Sequence, residues 1–154
     1  PAQTVDHINK VLTRRAIDAR YATLVYGQLA PSGKLIFCNA GQNPPLVFGV
    51  DGLRRIEAGG MPVGLFEVAQ YANDSVQLQP GDTMVLYSDG VTEAQNVAGD
   101  EFGEERLVEV MQRHHKEPAT VVLEKLVEAV HTFARGREQY DDVTALVVRY
   151  SGMP

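Results

Sequence analysis

Two aspartate motifs, each beside an apolar run, carry the residue types best suited to chemistry. Asp82-Thr83-Met84-Val85-Leu86-Tyr87-Ser88-Asp89-Gly90 reads as a buried strand that ends in an acid and a glycine. Asp141-Asp142-Val143-Thr144-Ala145-Leu146-Val147-Val148-Arg149 opens another strand with two adjacent acids. Carboxylates fixed at strand ends, with room for water, suit a hard oxygen-seeking cation such as Mg2+ or Mn2+. Gly90 lets the backbone beside Asp89 turn close to a ligand. Each acid also has a plainer reading. Ser-Asp-Gly is ordinary turn chemistry, and an Asp ahead of a strand often only caps a loop. Adjacent acids repel and need stabilising, which a cation would do and exposure to water would do as well. Spacing alone leaves a metal-dependent hydrolase and a set of loop acids both open.

The elements that must position these acids follow from periodicity. Val5, Ile8, Val11, Leu12, Ala16 and Ala19 have helical spacing, with Thr4 as a candidate N-cap. The period then changes. Tyr21–Leu29, Lys34–Cys38 and Leu46–Val50 are short β-branched or aromatic runs, separated by Pro31-Ser32-Gly33 and Asp51-Gly52 turns. Arg54–Glu57, Ser75–Leu78 and Thr83–Tyr87 add further strands, the last preceded by a Pro80-Gly81 turn. Glu104–His115 and Pro118–Arg135 read as helices, with Pro118 in a first-turn position and Gly136 as the stop of the second. Val143–Tyr150 closes as a strand. A meander of strands, then helices, then one returning strand, is an α+β arrangement.

Composition sets the outer bounds. The 154 residues fit a single domain over 1–154, and 44% hydrophobic content allows a buried core. A formal charge of -6 argues against nucleic acid. No apolar stretch approaches the ~20 residues of a membrane span. Cys38 is the sole cysteine, so no internal disulfide forms and a reducing cytoplasm is permitted; its apolar surroundings read as core packing.

The motifs taken together resemble a known family. Tyr87-Ser88-Asp89-Gly90-Val91-Thr92-Glu93-Ala94, then Glu101-Phe102-Gly103, then Asp141-Asp142-Val143-Thr144, look like the PPM-type metal-dependent protein serine/threonine phosphatases. Asn39-Ala40-Gly41 with Pro44-Pro45, and Gly60-Met61-Pro62-Val63-Gly64, narrow the resemblance to the bacterial SpoIIE/RsbU-like branch. It runs from about Thr4 to Arg149. It implies an α-β-β-α sandwich of two antiparallel sheets flanked by helices, with a metal site in the cleft between sheets. It implies Asp89 and Asp141 as ligands of Mg2+ or Mn2+, with Asp142 ranked behind Asp141 and the Gly90 backbone nearby. Ser88, Glu93 and Thr144 lie near the acids in sequence and are candidates to support them, but a turn at Thr92-Glu93-Ala94 and ordinary backbone bonding by the two hydroxyls are the plainer readings. The activity implied is direct attack of metal-activated water on phosphoserine or phosphothreonine, with no phosphoenzyme. The implied partners are a phosphorylated bacterial regulatory protein, of the anti-sigma factor antagonist type, and an upstream sensor domain.

Two departures qualify the resemblance. The family's Gly-Asp-x-x-Gly motif, which supplies the Asp that bridges two ions, has no match here. That predicts the C-terminal major part of a phosphatase domain, lacking early strands, weak in metal binding and in activity, and prone to homodimer formation through exposed strand edges. Gln42 stands where the branch has His, which removes any proton role at that position. Both departures feed a rival expectation: a pseudophosphatase that binds a regulatory partner without catalysis.

The remaining candidates read more plainly. His114-His115 point about 100° apart on a helix and suit an exposed helix end better than a metal pair. His7, His131 and Arg14-Arg15 read as surface or packing residues. Gly59–Gly64 lacks the Lys-Ser/Thr of a P-loop and reads as a flexible or kinked connector.

Overall fold

A computed structural model of the chain describes residues 1–14, 21–57, 59–137 and 141–152. Its elements in chain order are α1 (Ala2–Arg14), β1 (Leu24–Leu29), β2 (Lys34–Ala40), β3 (Leu46–Gly49), β4 (Gly52–Arg55), β5 (Asp74–Gln77), β6 (Thr83–Tyr87), α2 (Asp89–Thr92), α3 (Gly103–His114), α4 (Ala119–Phe133) and β7 (Ala145–Arg149). They fall into two compact units. One comprises Pro1–Pro44, Ile56–Leu78 and Gly152–Pro154; the other comprises Pro45–Arg55 and Gln79–Ser151.

The first unit is an antiparallel sheet of order β1-β2-β5 with α1 packed on β2. Alternation along β2 is overlaid by burial of Leu35, Phe37, Cys38 and Ala40. Val5, buried on α1, meets Cys38, Ala40 and Val63, with Ile8 and Leu12 beside it. Asn9 lies on the same face and is fully buried, a position that helical periodicity marks as apolar. Its amide is satisfied by the chain around Gly59–Gly64: Nδ2 donates to the Phe66 carbonyl at 2.9 Å, and Oδ1 accepts from the Gly64 amide at 2.8 Å. Gly60 approaches closely as well, since a Cβ there would lie 2.9 Å from the Asn39 carbonyl oxygen. Of the two expectations for this connector, flexible or kinked, these contacts favour a held, kinked one.

The helix start also differs from expectation. The Val5 amide already bonds the Pro1 carbonyl at 3.1 Å, so Thr4 sits exposed inside the first turn and caps nothing. Ala16, Ala19 and Arg15 lie outside the described residues. β1 starts at Leu24, not Tyr21: Ala22 instead exchanges two backbone bonds with Val63, and Tyr21 is exposed.

The second unit is an antiparallel sheet of order β4-β3-β6-β7. α3 and α4 bring Leu107, Met111, Val122, Leu126 and Val130 onto Leu46, Phe48, Val85 and Tyr87 of the sheet. Each such buried aliphatic side chain contributes about 1.5–3 kcal/mol relative to exposure. Pro118 serves as the N-cap of α4, its carbonyl accepting from Val122, and Gly136 follows the helix at φ 85°. Thr83 and Asp82 are buried polar residues with partners. Thr83 Oγ1 donates to the His115 carbonyl at 2.6 Å, and Asp82 pairs with Arg54 and accepts from the Gln79 amide.

Three further expectations change. β4 starts at Gly52 because the tight Val50-Asp51 turn starts pairing at Gly49–Gly52, and it ends at Arg55 rather than Glu57. The strands do not form a meander, since β5 returns to β2 and β6 to β3. His114 and His115 are half-buried: His114 meets the Glu117 carboxylate at 2.7 Å, and the His115 ring lies 6.1 Å from Phe48. Among the described residues no helix is long and apolar enough to cross a membrane.

Candidate metal centre

The β6 strand ends at Tyr87, whose ring is buried and whose hydroxyl donates to Glu104 Oε2 at 3.0 Å. Burial pushes the Tyr87 phenol up, against an opposing pull from the Arg55 cation. Arg55 in turn pairs with Glu104, so β4, β6 and the first turn of α3 are linked through this carboxylate. Ser88 is extended at φ -85° and ψ 165°, and Asp89 then begins the single turn of α2. The expected Ser-Asp-Gly turn is therefore a strand-to-helix junction. Asp89 is exposed, while Gly90 and Val91 behind it are buried.

The second acid motif is brought to this junction by β7, which pairs with β6 from Tyr87↔Ala145 onward. Just beyond the ladder, the Ser88 amide donates to the Thr144 carbonyl at 2.9 Å. The Ser88 hydroxyl donates to the Asp142 carbonyl at 3.0 Å and accepts from the Thr144 amide at 3.1 Å. Gly90 presses on the same segment so closely that a Cβ there would overlap the Asp142 carbonyl oxygen. Asp141 and Asp142 are exposed, and Asp141 Oδ1 accepts from the Asp142 amide at 2.7 Å. Two motifs more than fifty positions apart in the chain thus meet at one end of the β6-β7 pair.

Beside them lies a cleft of about 340 Å³ lined by Gly90, Glu93, Gln95, Glu101, Arg137 and Asp141, with Val130, Ala134 and Val143 among its apolar contacts. An Arg137 guanidinium nitrogen donates to Gln95 Oε1 at 3.0 Å. Glu93 is exposed on the cleft wall, and Thr144 meets Ser88 through its backbone. Sequence reasoning gave Arg137 and Gln95 no role and quoted Glu101 only within a motif. Neither the ends of a helix nor a small hairpin announces by spacing that it faces an acid.

The donor chemistry here is all oxygen, which fits Mg2+ or Mn2+. The number of donors is small: among the described residues no group of three or more His, Cys, Asp or Glu side chains is gathered so as to hold an ion. Asp89 and Asp141 are both exposed oxygen donors at this junction, and water or further ligands would have to supply most of any coordination shell. Gln42 belongs to the first unit, where Asn39 brackets it, donating from Nδ2 to its carbonyl and accepting from its amide at 2.8 Å each.

Comparison with known proteins adds to this geometry. A family model described as Stage II sporulation protein E (SpoIIE) matches residues 1–151. Protein IcfG of Synechocystis sp. is 29% identical over 140 residues, covering 90% of this chain and 22% of that protein. Phosphoserine phosphatase RsbU of Bacillus subtilis is 24% identical over 153 residues, covering 97% of this chain and 45% of that protein. This chain therefore spans less than half the length of either relative. The solved SiaA-PP2C domain of Pseudomonas aeruginosa superposes with a TM-score of 0.84 at 21% identity, over 97% of this chain and 60% of that one. The fold is the α+β fold of PP2C-type phosphatase domains.

Proposed function

This chain belongs to the SpoIIE family of PPM-type phosphatases, and from that premise we propose that it forms the Asp89 and Asp141 side of a metal-dependent phosphoserine/phosphothreonine phosphatase site. The observation that supports this most is the junction at Ser88, which joins the Asp89-Gly90 turn to the Asp141–Thr144 segment. Asp89 and Asp141 would hold Mg2+ or Mn2+ through their carboxylates, with Asp142 ranked behind them. The bound ion would polarise the phosphoryl oxygens and ease deprotonation of an attacking water. Ser88 and the Gly90 backbone set the spacing of the acids. Glu93, Gln95, Glu101 and Arg137 line the space where residues flanking a phosphorylated side chain would lie.

The substrate we propose is a phosphorylated bacterial regulatory protein of the anti-sigma factor antagonist type, acted on in the cytoplasm under control of an upstream sensor domain. The match to phosphoserine phosphatase RsbU and to the SpoIIE family supports a phosphorylated serine as the group removed. We further propose that residues 1–154 correspond to the C-terminal major part of such a phosphatase domain. Among the described residues no third donor side chain joins the two acid segments, so the chain alone should bind metal weakly and hydrolyse slowly.

A second reading is a regulatory binding module without catalysis, favoured by Gln42 and by the same shortage of donors. Hydrolysis of p-nitrophenyl phosphate with Mn2+ against EDTA separates the two. The phosphatase reading expects a low rate that needs metal and is lost in Asp89→Asn. A rate indifferent to both would contradict it. No rate in the chain, nor after a Gly-Asp-x-x-Gly segment is supplied upstream, would leave the binding module.

A further inference from the structure

We infer that Ser88 is a positioning residue that fixes the separation of the two acid motifs, and so governs how they share one divalent cation. The inference deepens the metal-site reading and rests on it. A hydroxyl can donate and accept at once, and Ser88 does both toward a single segment: Oγ donates to the Asp142 carbonyl at 3.0 Å and accepts from the Thr144 amide at 3.1 Å. These two groups flank Val143 and immediately follow Asp141. On its own side, Ser88 directly precedes Asp89, so the hydroxyl bridges the backbone leading into one acid and the backbone leading out of the other.

The clasp is the adjustable part of the junction. The backbone bond from the Ser88 amide to the Thr144 carbonyl, and the β6-β7 ladder behind it, do not involve the side chain. Removing the hydroxyl therefore leaves the strands paired while the Asp142 carbonyl and Thr144 amide lose their partner. Both bonds lie at the exposed surface, so water replaces them at small cost to stability. What water cannot replace is a fixed distance. The Asp141-Asp142 backbone gains freedom relative to Asp89, and chelation by two acids depends on that distance. Gly90 leaves little room for a compensating shift toward the segment, because even a Cβ added there would overlap the Asp142 carbonyl oxygen.

The test is a Mn2+ titration of the 154-residue chain, followed by NMR line broadening of backbone amides, on wild type, Ser88→Ala and Ser88→Thr. In wild type the amides of 89–91 and 142–144 should broaden together at one Mn2+ concentration. Ser88→Ala should need about tenfold more Mn2+, the lower end for loss of an outer partner of a metal ligand. Its two segments should also cease to respond in parallel. Ser88→Thr, which keeps the hydroxyl, should restore both features. A purely structural role would lower the thermal midpoint of Ser88→Ala and leave the Mn2+ response of the folded protein unchanged; that outcome overturns the inference. Absence of local broadening in wild type would overturn the metal reading itself, and the clasp with it.

Discussion

At the residue scale, Gly90 shows how little tolerance the junction has. Any side chain there meets the Asp142 carbonyl oxygen, which is backbone and cannot rotate away. Gly90→Ala should cost about 2 kcal/mol by overpacking, read as a drop of about 4–8 °C in the thermal midpoint for a domain of this size. It should also weaken Mn2+ binding. Cys38 makes the opposite case, a chemically capable group kept inert. It is 1% exposed on β2, and burial pushes its thiol up, so little thiolate forms at neutral pH. The native chain should therefore resist a thiol-labelling reagent and react fully once denatured; rapid native labelling would contradict the packing. Both residues were legible in part. A glycine after an acid, and a cysteine within an apolar run, are visible in sequence. The close approach of Gly90 to a segment fifty positions away is not, because nothing local encodes it. Asn9 was missed for the same reason: a buried amide in a helix face is explained only by the distant loop it binds.

At the element scale, legibility follows how local the cause of each element is. α4 was readable because Val122, Leu126 and Val130 mark one face and Gly136 marks the end, and those positions are the ones buried. Leu126→Ala should accordingly lower unfolding free energy by about 2–5 kcal/mol, measurable by denaturant titration, while an equal change at exposed Val97 should be nearly silent. Element ends were harder. The start of α1 is set by the Pro1 carbonyl rather than by the expected Thr4 cap, and α2 is too short for any periodicity. The order of strands was beyond reach, because β5 beside β2 and β6 beside β3 are pairings between distant segments. The β6-β7 pair matters most for function. It turns two acid motifs far apart in the chain into neighbours, whereas their residue types left a metal site and loop acids both open and the resemblance to a family favoured the first.

At the scale of the whole molecule, two compact units each carry a sheet and their own helices, and both acid motifs reside in the second. The α+β class was legible from element order, and the family from the ordered set of motifs along nearly the whole chain. The acids themselves did not decide between a metal site and solvated loop carboxylates. The structure places Asp89 and the Asp141-Asp142 segment on either side of one serine clasp, with all three carboxylates exposed. The central claim is that Asp89 and Asp141 serve a single cation, and a double-mutant cycle tests it most directly. Mn2+ affinity of the chain would be measured by water-proton relaxation for wild type, Asp89→Asn, Asp141→Asn and the double variant. The account predicts that each single change weakens binding and that the double change adds little beyond either, because one site cannot be lost twice. Fully additive losses, or singles that bind Mn2+ as wild type does, would contradict it.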